Sequence, residues 1–284
     1  MSLRIALFTL EALPNARAVR RFVADHAAEI AVVGLSDPER PSVGGLIGQV
    51  RRHLLRSGPG ILPYLAVNFG LPDLLRGLAP VTQRIGGLGD VAEATPLRNL
   101  CTRLGLPHAV IRDVNAPETT ALLAEHRADL IVSFHFDQIF DAATLAAVPL
   151  GGLNVHPSLL PRFRGPVPTF HALLDETPAF GVTVHRLAPA IDAGGILAQE
   201  TVALPGDVTA SRAAVRLHEA GRPLLDGVLA EVRRDGRMPA GRVLPVLPYC
   251  GFPSRAELRE LKRRGRRLVD AEDLREALSL SARR

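Results

Sequence analysis

The 284-residue sequence predicts an α/β fold, an open and doubly wound sheet whose strands are mostly parallel. Two observations lead to this expectation. Short runs of aliphatic and β-branched residues alternate along the chain with segments of helical periodicity, which is the order that parallel strands and their right-handed crossover helices require. The composition, 47% hydrophobic and 22% charged, is that of a globular protein and excludes a wholly disordered chain.

The first elements follow this alternation closely. "RIALFTL" from Arg4 predicts a strand, "NARAVRRFVADHA" from Asn15 predicts a helix, and "EIAVVGLSD" from Glu29 predicts a second strand. Between Pro38 and Pro96 the alternation breaks. Short helical segments set among Gly and Pro predict a helical insertion over residues 38–96, because the stretch is longer than an ordinary connection between a strand and a helix.

The alternation resumes after this insertion. Helical "APETTALLAEHRA", strand-like "DLIVSFHF", helical "DAATLAAV" and strand-like "GLNVH" follow one another between Ala116 and His156. From Ala210 a long amphipathic helix is predicted, either continuous or split near Gly221 and Pro223. The remaining residues form a short C-terminal extension. The expected architecture is therefore a Rossmann-like sheet that carries an insertion and an extension.

Charge and cysteine content restrict the classes of partner. The net charge of +5 would suit an acidic partner, yet almost all of the positive charge is arginine, which a GC-rich coding sequence alone can produce. The basic run Lys262–Arg267 is typical of the solvated face of a terminal helix. Cys101 and Cys250 have no partner at disulfide or zinc spacing, which fits a reducing cytoplasm. No stretch reaches the length of a membrane span or of a secretory signal, so no membrane partner is expected.

The stretch "GGLNVHPSLLPRFRG", from Gly151 to Gly165, concentrates an amide, an imidazole, a hydroxyl and two guanidinium groups. Asn154 and His156 are two positions apart on a predicted strand, so their side chains point to one face. They lie at its carboxyl end, where doubly wound sheets bind their ligands. An amide can donate to a developing oxyanion, and an imidazole can transfer a proton near neutral pH. This pairing therefore suits acyl transfer.

Asp192 is the candidate third member of the site. It follows the strand-like segment that begins at Gly181 and precedes a Gly194–Gly195 turn. We expect it in the loop at the carboxyl end of an adjacent strand, where it could orient the imidazole. Taken alone, Asn154 and His156 could equally be a polar pair that closes a strand, and Asp192 could be a turn residue.

The segment from Leu130 to Gln199 resembles the folate-dependent formyltransferases, a family that includes glycinamide ribonucleotide, methionyl-tRNA and sugar N-formyltransferases. "NVHPSLLPRFRGPVP" is similar to the family's Asn-x-His-Pro-Ser-Leu-Leu-Pro signature, and "GVTVHRLAPAIDAGGIL" is similar to its second signature, which ends in Asp-x-Gly. His156 and Asp192 are 36 residues apart, the spacing that the family uses. The joint pattern is far more specific than any one of these residues.

The resemblance implies that Asn154, His156 and Asp192 are the catalytic residues and that 10-formyltetrahydrofolate is the formyl donor. It implies that two segments enclose the pterin ring, mainly through backbone groups, and the residues expected there are Phe136, Gln138, Ile139, Phe140, Leu187, Ala188 and Ile191. Ser158 and Arg164 are expected to contact the acceptor. The catalytic domain is expected over residues 1–208, followed by a helical C-terminal region over residues 209–284.

The expected reaction is formyl transfer to a primary amine of a small molecule, with a nucleotide-linked amino sugar as the first candidate. Methionyl-tRNA is the alternative acceptor, favoured by the basic charge and opposed by the lack of a recognisable tRNA-binding barrel. Hydrolysis of the donor by water and a folate-binding paralogue without turnover are further alternatives. The C-terminal region could serve a homodimer or close over the cleft.

Other candidate residues carry weaker signals. His135, His171 and His185 are as well explained by hydrogen-bonded structural roles as by a site, and no metal-ligand spacing recurs among them. Gly86–Asp90 lacks the spacing of a dinucleotide-binding loop. We therefore expect neither a metal nor a dinucleotide.

Overall fold

A single sheet organises the computed structural model, which describes residues 3–37, 45–70 and 95–281. In these ranges the strands are β1 Ile5–Thr9, β2 Ile30–Ser36, β3 His108–Ile111, β4 Leu130–Phe134, β5 Gly152–His156, β6 Gly181–Arg186 and β7 Ile196–Thr201. Their order across the sheet is β3-β2-β1-β4-β5-β6-β7. Neighbours from β3 to β5 run parallel, whereas β6 is antiparallel to β5 and β7 to β6. The predicted doubly wound, mostly parallel sheet is confirmed.

Helices connect the strands and extend beyond them. They are α1 Ala16–Asp25, α2 Gly45–Ser57, α3 Leu62–Leu65, α4 Leu97–Leu104, α5 Pro117–Glu125, α6 Ala142–Ala146, α7 Pro168–Leu174, α8 Ala210–Asp235, α9 Arg255–Arg263 and α10 Ala271–Ser281. A 3₁₀ turn, Pro59–Ile61, and a π-helical segment, Ala66–Gly70, flank α3. The predicted insertion is thus helical over residues 45–70. Residues 38–44 and 71–94, which include Gly86–Asp90, lie outside the described residues.

Both faces of the sheet are covered, as β1 demonstrates. All five of its residues are buried, and their side chains alternate between two hydrophobic clusters. Ile5 and Leu7 join the cluster beneath α1, α4 and α8, whereas Ala6 and Phe8 join the cluster beneath α5 and α6. Burying an aliphatic or aromatic side chain in this way contributes about 1.5–3 kcal/mol. This two-sided burial explains why β1 reads as a continuous apolar run.

The chain changes direction across the sheet between β1 and β4. β1 pairs with β2 on one side and with β4 on the other, so the connections that follow β1 and β4 leave in opposite directions. Thr9 Oγ1 donates to Phe134 O at 2.7 Å, and Leu10 N donates to His135 O at 3.3 Å, which ties the two strand ends together. A crevice at such a switch point, beside β5, is where ligands bind to doubly wound sheets.

Helix α8 decides between the two alternatives that the sequence left open, because it runs unbroken from Ala210 to Asp235 with Pro223 inside it. Gly221 provides the reason. A Cβ atom at Gly221 would lie 2.5 Å from Val155 Cγ1 and 2.8 Å from Val182 Cγ2, so the helix packs directly on β5 and β6 at this point. Tertiary packing thus outweighs the low helix propensity of Gly and Pro, and of the two alternatives the continuous helix is the one observed. α8 belongs to the same hydrophobic cluster as the strands.

The basic run Lys262–Arg267 divides between two environments. Lys262, Arg263 and Arg267 are exposed, as expected. Arg264 Nη1 instead donates to Leu174 O at 2.5 Å, and Arg266 Nη1 donates to Asp175 O at 2.5 Å. Carbonyl groups at the C-terminal end of a helix lack intrahelical partners and attract cations, so these two arginines cap α7. No helix in the described part of the chain is long and apolar enough to cross a membrane.

Candidate active site

The candidate site lies at the carboxyl end of β5. Asn154 and His156 share one face of this strand, as the period of two predicts, and His156 is 5% exposed. The antiparallel register places Asn154 opposite His185 of β6. An amide and two imidazoles therefore lie side by side on this face.

Asp192 completes the arrangement. Its Oδ1 lies 3.5 Å from His156 Nδ1, and its Oδ2 accepts a 2.9 Å hydrogen bond from the backbone N–H of Gly165. His156 Nε2 lies 3.2 Å from Phe163 O. Both ring nitrogens of His156 thus face oxygen acceptors, and an imidazolium could donate to both. The backbone bond from Gly165 holds the carboxylate in the orientation that this requires.

The path by which Asp192 reaches His156 differs from the expected one. β6 runs antiparallel to β5, so the carboxyl end of β6 lies beside the amino end of β5, where Leu153 pairs with Arg186. The loop between β6 and β7 must therefore fold back along the sheet. Gly194 permits this, because a Cβ atom there would overlap the carbonyl group of Arg186.

Two residues that border the site have left-handed backbone conformations. Asp192 has φ 46° and Phe163 has φ 58°. Asp tolerates this region comparatively well, but an aromatic residue rarely adopts it, and such conformations persist only where the surrounding structure imposes them. Both residues supply an oxygen that faces His156. The unfavourable backbone conformations of these two residues thus place the oxygen atoms that surround the imidazole.

His185 has a role that the sequence left undecided between a structural one and the cleft. Its Nδ1 lies 2.9 Å from Arg186 O, so this nitrogen carries the proton. Burial lowers the pKa of His185 to about 4, although Asp192 opposes the shift, and the ring is therefore neutral at physiological pH. The unprotonated Nε2 then accepts from Asn154 Nδ2, 3.1 Å away. This bond fixes the amide of Asn154 and leaves its second N–H for another acceptor.

Ser158 and Arg164, the residues expected to contact the acceptor, make contacts within the chain. Ser158 is 2% exposed, and its Oγ donates to Arg162 O at 2.9 Å. Arg164 is 7% exposed, and it donates from Nε to Ile191 O at 2.9 Å and from Nη1 to Leu247 O at 2.6 Å. These contacts give both residues a part in positioning the loops around Asp192.

The two segments expected to enclose the pterin ring border the same face of the sheet. Phe136, after β4, and Leu187, after β6, are both partly buried against the cluster that contains Phe8 and Ile131. Ile139 is 50% exposed, and Ala188 and Ile191 are partly exposed. The structure therefore brings apolar side chains of both segments to one region.

Two other residues of this set support the segments from within. Phe140 is 2% exposed and packs edge-on against Phe8, with 5.3 Å between the ring centroids. Gln138 Oε1 accepts from Val114 N at 2.8 Å, and its Nε2 donates to Ile111 O at 2.9 Å. Gln138 therefore fastens the segment that follows β4 to the end of β3.

Three further histidines were candidates or lie beside one: His135 directly follows β4 and contacts His218, whereas His171 lies on α7. The ring of His135 stacks on Phe69, with a centroid distance of 5.9 Å, and meets the edge of His218 at 5.8 Å. Burial lowers the pKa of His135 to about 4 and that of His218 to about 3. His171 Nε2 lies 2.8 Å from Gly251 O, which fits a structural role. No group of three or more metal-binding side chains is arranged around a common point in residues 3–37, 45–70 and 95–281.

Comparison with known proteins identifies the family of this chain. The family model described as formyl transferase matches residues 83–229, just over half of the chain. A methionyl-tRNA formyltransferase from Roseiflexus castenholzii is 37% identical over 149 residues, which cover 52% of this chain and 48% of that protein. The chain thus spans about half the length of the curated relatives it matches.

Solved structures share the fold at low sequence identity. Phosphoribosylglycinamide formyltransferase from Anaplasma phagocytophilum aligns with a TM-score of 0.56 and 16% identity, covering 88% of this chain and 99% of that one. A sugar N-formyltransferase from Shewanella aligns with a TM-score of 0.51 and 18% identity, covering 98% of this chain and 87% of that one. Since the family model covers more than half of the sequence, this chain belongs to the formyl transferase family.

Proposed function

We propose that the protein transfers a formyl group from 10-formyltetrahydrofolate to a primary amine. The observation that carries this proposal is the arrangement of Asn154, His156 and Asp192, in which an oriented amide donor and an imidazole backed by a carboxylate share one face. Acyl transfer to an amine needs these two functions, since negative charge develops on the acyl oxygen and the attacking nitrogen must lose a proton.

The residues present fit a folate as the donor substrate. A pterin is a flat ring with an apolar face and a polar edge, and sites for such molecules are mostly apolar with a few polar groups that fix orientation. Phe136 and Leu187 supply partly buried apolar contacts from two loops, and Ile139 adds a half-exposed one. The backbone of the loop between β6 and β7 supplies polar groups near Asp192. This combination supports 10-formyltetrahydrofolate.

Each residue has a role in the proposed mechanism. The neutral amine attacks the formyl carbon, the bond from that carbon to the folate nitrogen breaks, and the proton lost by the amine reaches the leaving nitrogen. Asn154 donates its second Nδ2–H to the formyl oxygen as charge develops. His156 takes part in the proton transfer, and Asp192 stabilises the imidazolium through Nδ1. Arg164 and Gly165 hold the Asp192 loop in place.

The acceptor is a small-molecule amine in this proposal, with a nucleotide-linked amino sugar first. The relatives and structural neighbours are named after three different acceptors, which are methionyl-tRNA, phosphoribosylglycinamide and sugars. Methionyl-tRNA is the second candidate, because the described match in sequence is to enzymes of that name. Its binding would weaken steeply with added salt, since contacts to many phosphates release counterions.

The proposal is tested with a spectrophotometric assay of the folate product that has lost its formyl group. 10-Formyl-5,8-dideazafolate replaces the labile natural folate as the donor. The assay is run without acceptor, then with amino-sugar nucleotides, glycinamide ribonucleotide and methionyl-tRNA in turn. Release that depends on one acceptor supports the transferase and identifies its substrate. Release without acceptor supports a hydrolase instead.

Substitutions test the roles of the residues in the same assay. His156→Ala and Asp192→Ala should each lower kcat about a hundred- to a thousandfold, the usual cost of losing an oxyanion donor or a general base. The matched control is His108→Ala, because His108 lies on β3 at the opposite edge of the sheet. Near-normal turnover in a folded His156→Ala or Asp192→Ala variant would contradict the proposed roles.

A further inference from the structure

Residues 242–250, which we call the strap, follow α8 after a connection of six residues and run past the loop that carries Asp192. The strap begins at the edge of the sheet, where Ile196 and Arg242 exchange backbone hydrogen bonds of 2.9 and 2.8 Å. It is then held by Arg164, whose Nη1 donates to Leu247 O and whose carbonyl accepts from Cys250 N at 2.8 Å. The same guanidinium binds Ile191 O, next to Asp192. One buried arginine thus joins the strap to the catalytic carboxylate loop.

Tyr249 of the strap packs against a residue that binds Asp192. A Cβ atom at Gly165 would lie 3.0 Å from the Tyr249 ring, and Gly165 is the residue whose N–H binds Asp192. Partial burial raises the pKa of the Tyr249 phenol, the Asp192 carboxylate raises it further, and the Arg56 guanidinium opposes the shift. The phenol therefore lies within electrostatic reach of both groups. Its side chain is nevertheless 53% exposed.

Arg56 reaches the strap from α2 of the insertion. Its Nε donates to Phe252 O at 2.5 Å, and Ser57 Oγ donates to Pro253 O, so the end of α2 is fastened to the residues that follow the strap. The ring of His53 contacts that of Phe252, with 4.2 Å between the centroids. The guanidinium of Arg56 lies over Gly251, and the residue is exposed. Arg56 is therefore tied to this segment through Nε and is still accessible to solvent.

We propose that Tyr249 and Arg56 form a rim that recognises a nucleotide carried by the amine acceptor, with Tyr249 stacking on the base and Arg56 pairing with a phosphate. This inference rests on the proposed function. A half-exposed aromatic ring offers a flat face on which any base can stack. A guanidinium matches the geometry of phosphate oxygens and stays charged at all physiological pH values. The two side chains come from different segments: the Tyr249 ring lies against Gly165, whose N–H binds Asp192, and the Arg56 guanidinium lies against Gly251, two residues further along the chain from Tyr249.

The tyrosine content of the chain provides a direct test. The sequence has no tryptophan and two tyrosines, and Tyr64 is only 3% exposed. UDP, dTDP and a cytidine-cytidine-adenosine trinucleotide, the 3′ end of tRNA, are titrated into the whole protein while tyrosine emission is recorded, with free N-acetyltyrosinamide as the inner-filter control. Saturable quenching is expected, and Tyr249→Phe should abolish it because Tyr249 is the accessible emitter. Preference for the diphosphates or for the trinucleotide distinguishes the two sources of nucleotide.

Calorimetry on the same ligands separates stacking from charge. Tyr249→Ala should weaken nucleotide binding about tenfold, whereas Tyr249→Phe should restore it because the ring face is kept. Arg56→Met should weaken UDP binding by a similar factor and abolish its preference over uridine. Arg52→Met is the matched control, since Arg52 is an exposed arginine of α2 outside the proposed rim. Arg56→Lys keeps the charge in case loss of the bond to Phe252 O disturbs the fold.

The affinity of each variant for 5-formyltetrahydrofolate is measured as well, so that failure of the proposed rim can be told apart from failure of the proposed function. Intact folate binding with unchanged nucleotide affinity in both Tyr249→Ala and Arg56→Met would overturn the rim and leave formyl transfer in place. Absence of saturable nucleotide binding to the native protein would also overturn the rim. Rim-dependent nucleotide binding without formyl transfer to any amine would overturn the proposed function and support the rim.

Discussion

Asn154 Nδ2 lies 3.1 Å from His185 Nε2, across the antiparallel pair formed by β5 and β6. The imidazole is fixed as an acceptor because its other nitrogen donates to Arg186 O. A buried neutral histidine therefore decides which way the amide of the proposed oxyanion donor points.

Substitution of His185 should consequently reduce turnover through Asn154. His185→Ala is expected to lower kcat about tenfold to a hundredfold, less than the loss of the donor itself, while the KM for the folate changes little. A double-mutant cycle checks the coupling. In an Asn154→Ala background the His185→Ala substitution should have almost no further effect on kcat. Additive losses would contradict an action through Asn154.

Gly165 connects the strap to Asp192 and should tolerate no side chain. Its φ is 127°, and a Cβ atom there would overlap Cys250 O. Gly165→Ala should displace the strap or the N–H that binds Asp192 and lower kcat about tenfold to a hundredfold, since small misplacements of a reacting group are costly. The measurement is kcat together with thermal unfolding.

Gly236→Ala serves as the control for that substitution. Gly236 also has a left-handed backbone, φ 64°, but its Cβ would meet nothing within 4 Å. It should lose about 1 kcal/mol of stability and keep its kcat. Equal losses of kcat in both variants would show that backbone strain, rather than the contact with the strap, matters at Gly165.

His218 should make the protein less stable in acid. Burial, and to a smaller extent the neighbouring His135, lower the pKa of His218 to about 3, whereas an unfolded histidine titrates near 6.5. Below pH 6.5 the unfolded chain binds a proton at this histidine and the folded chain does not. The stability that neutral His218 contributes is therefore complete above pH 6.5 and is lost progressively as the pH falls towards 3. The expected loss is about 1 kcal/mol per pH unit.

The variant His218→Leu tests this pH dependence by urea unfolding at pH 7.5, 6 and 5. His218 Nε2 is buried without a hydrogen-bond partner, and leucine removes only the bond from Nδ1 to Ala214 O, a carbonyl inside α8 that can also accept from the backbone N–H of residue 218. The variant should show a shallower loss of unfolding free energy between pH 6.5 and pH 5 than the native protein. Parallel curves for the two proteins would contradict a titrating His218.

Pro223 and Gly221 should respond in opposite directions to alanine. Pro223 is an exposed residue inside α8, where it removes a backbone hydrogen bond, so Pro223→Ala should raise the free energy of unfolding by about 1–3 kcal/mol. Gly221→Ala should lower it by about 1–3 kcal/mol, because the new methyl group would press on Val155 and Val182. Urea unfolding of both variants checks the pair. Stabilisation by Gly221→Ala would contradict the close packing of α8 on the sheet.

Much of the fold follows from local patterns. The sequence predicts the buried strands β1, β2, β4 and β5 correctly, because a strand that is covered on both faces consists of a continuous run of apolar residues. The strands β3 and β7 are not predicted. β3 has only four residues, which are too few for a clear pattern, and β7 at the sheet edge is only partly buried. α7 is missed as well, because prolines dominate its surroundings. Short or exposed elements owe their structure to their neighbours rather than to their own residues.

The sequence by itself supplied the residues on which the proposed reaction chemistry rests. A period of two places Asn154 and His156 on one face, and motif spacing selects Asp192 as their partner. These are local properties, and they are encoded along the chain. The tertiary structure alone decided that β6 is antiparallel, that burial keeps His185 neutral, that Arg164 binds backbone carbonyls, and that the Tyr249 ring lies against Gly165. Strand direction, burial and proximity across more than fifty residues depend on how the whole chain packs, and no local pattern records them.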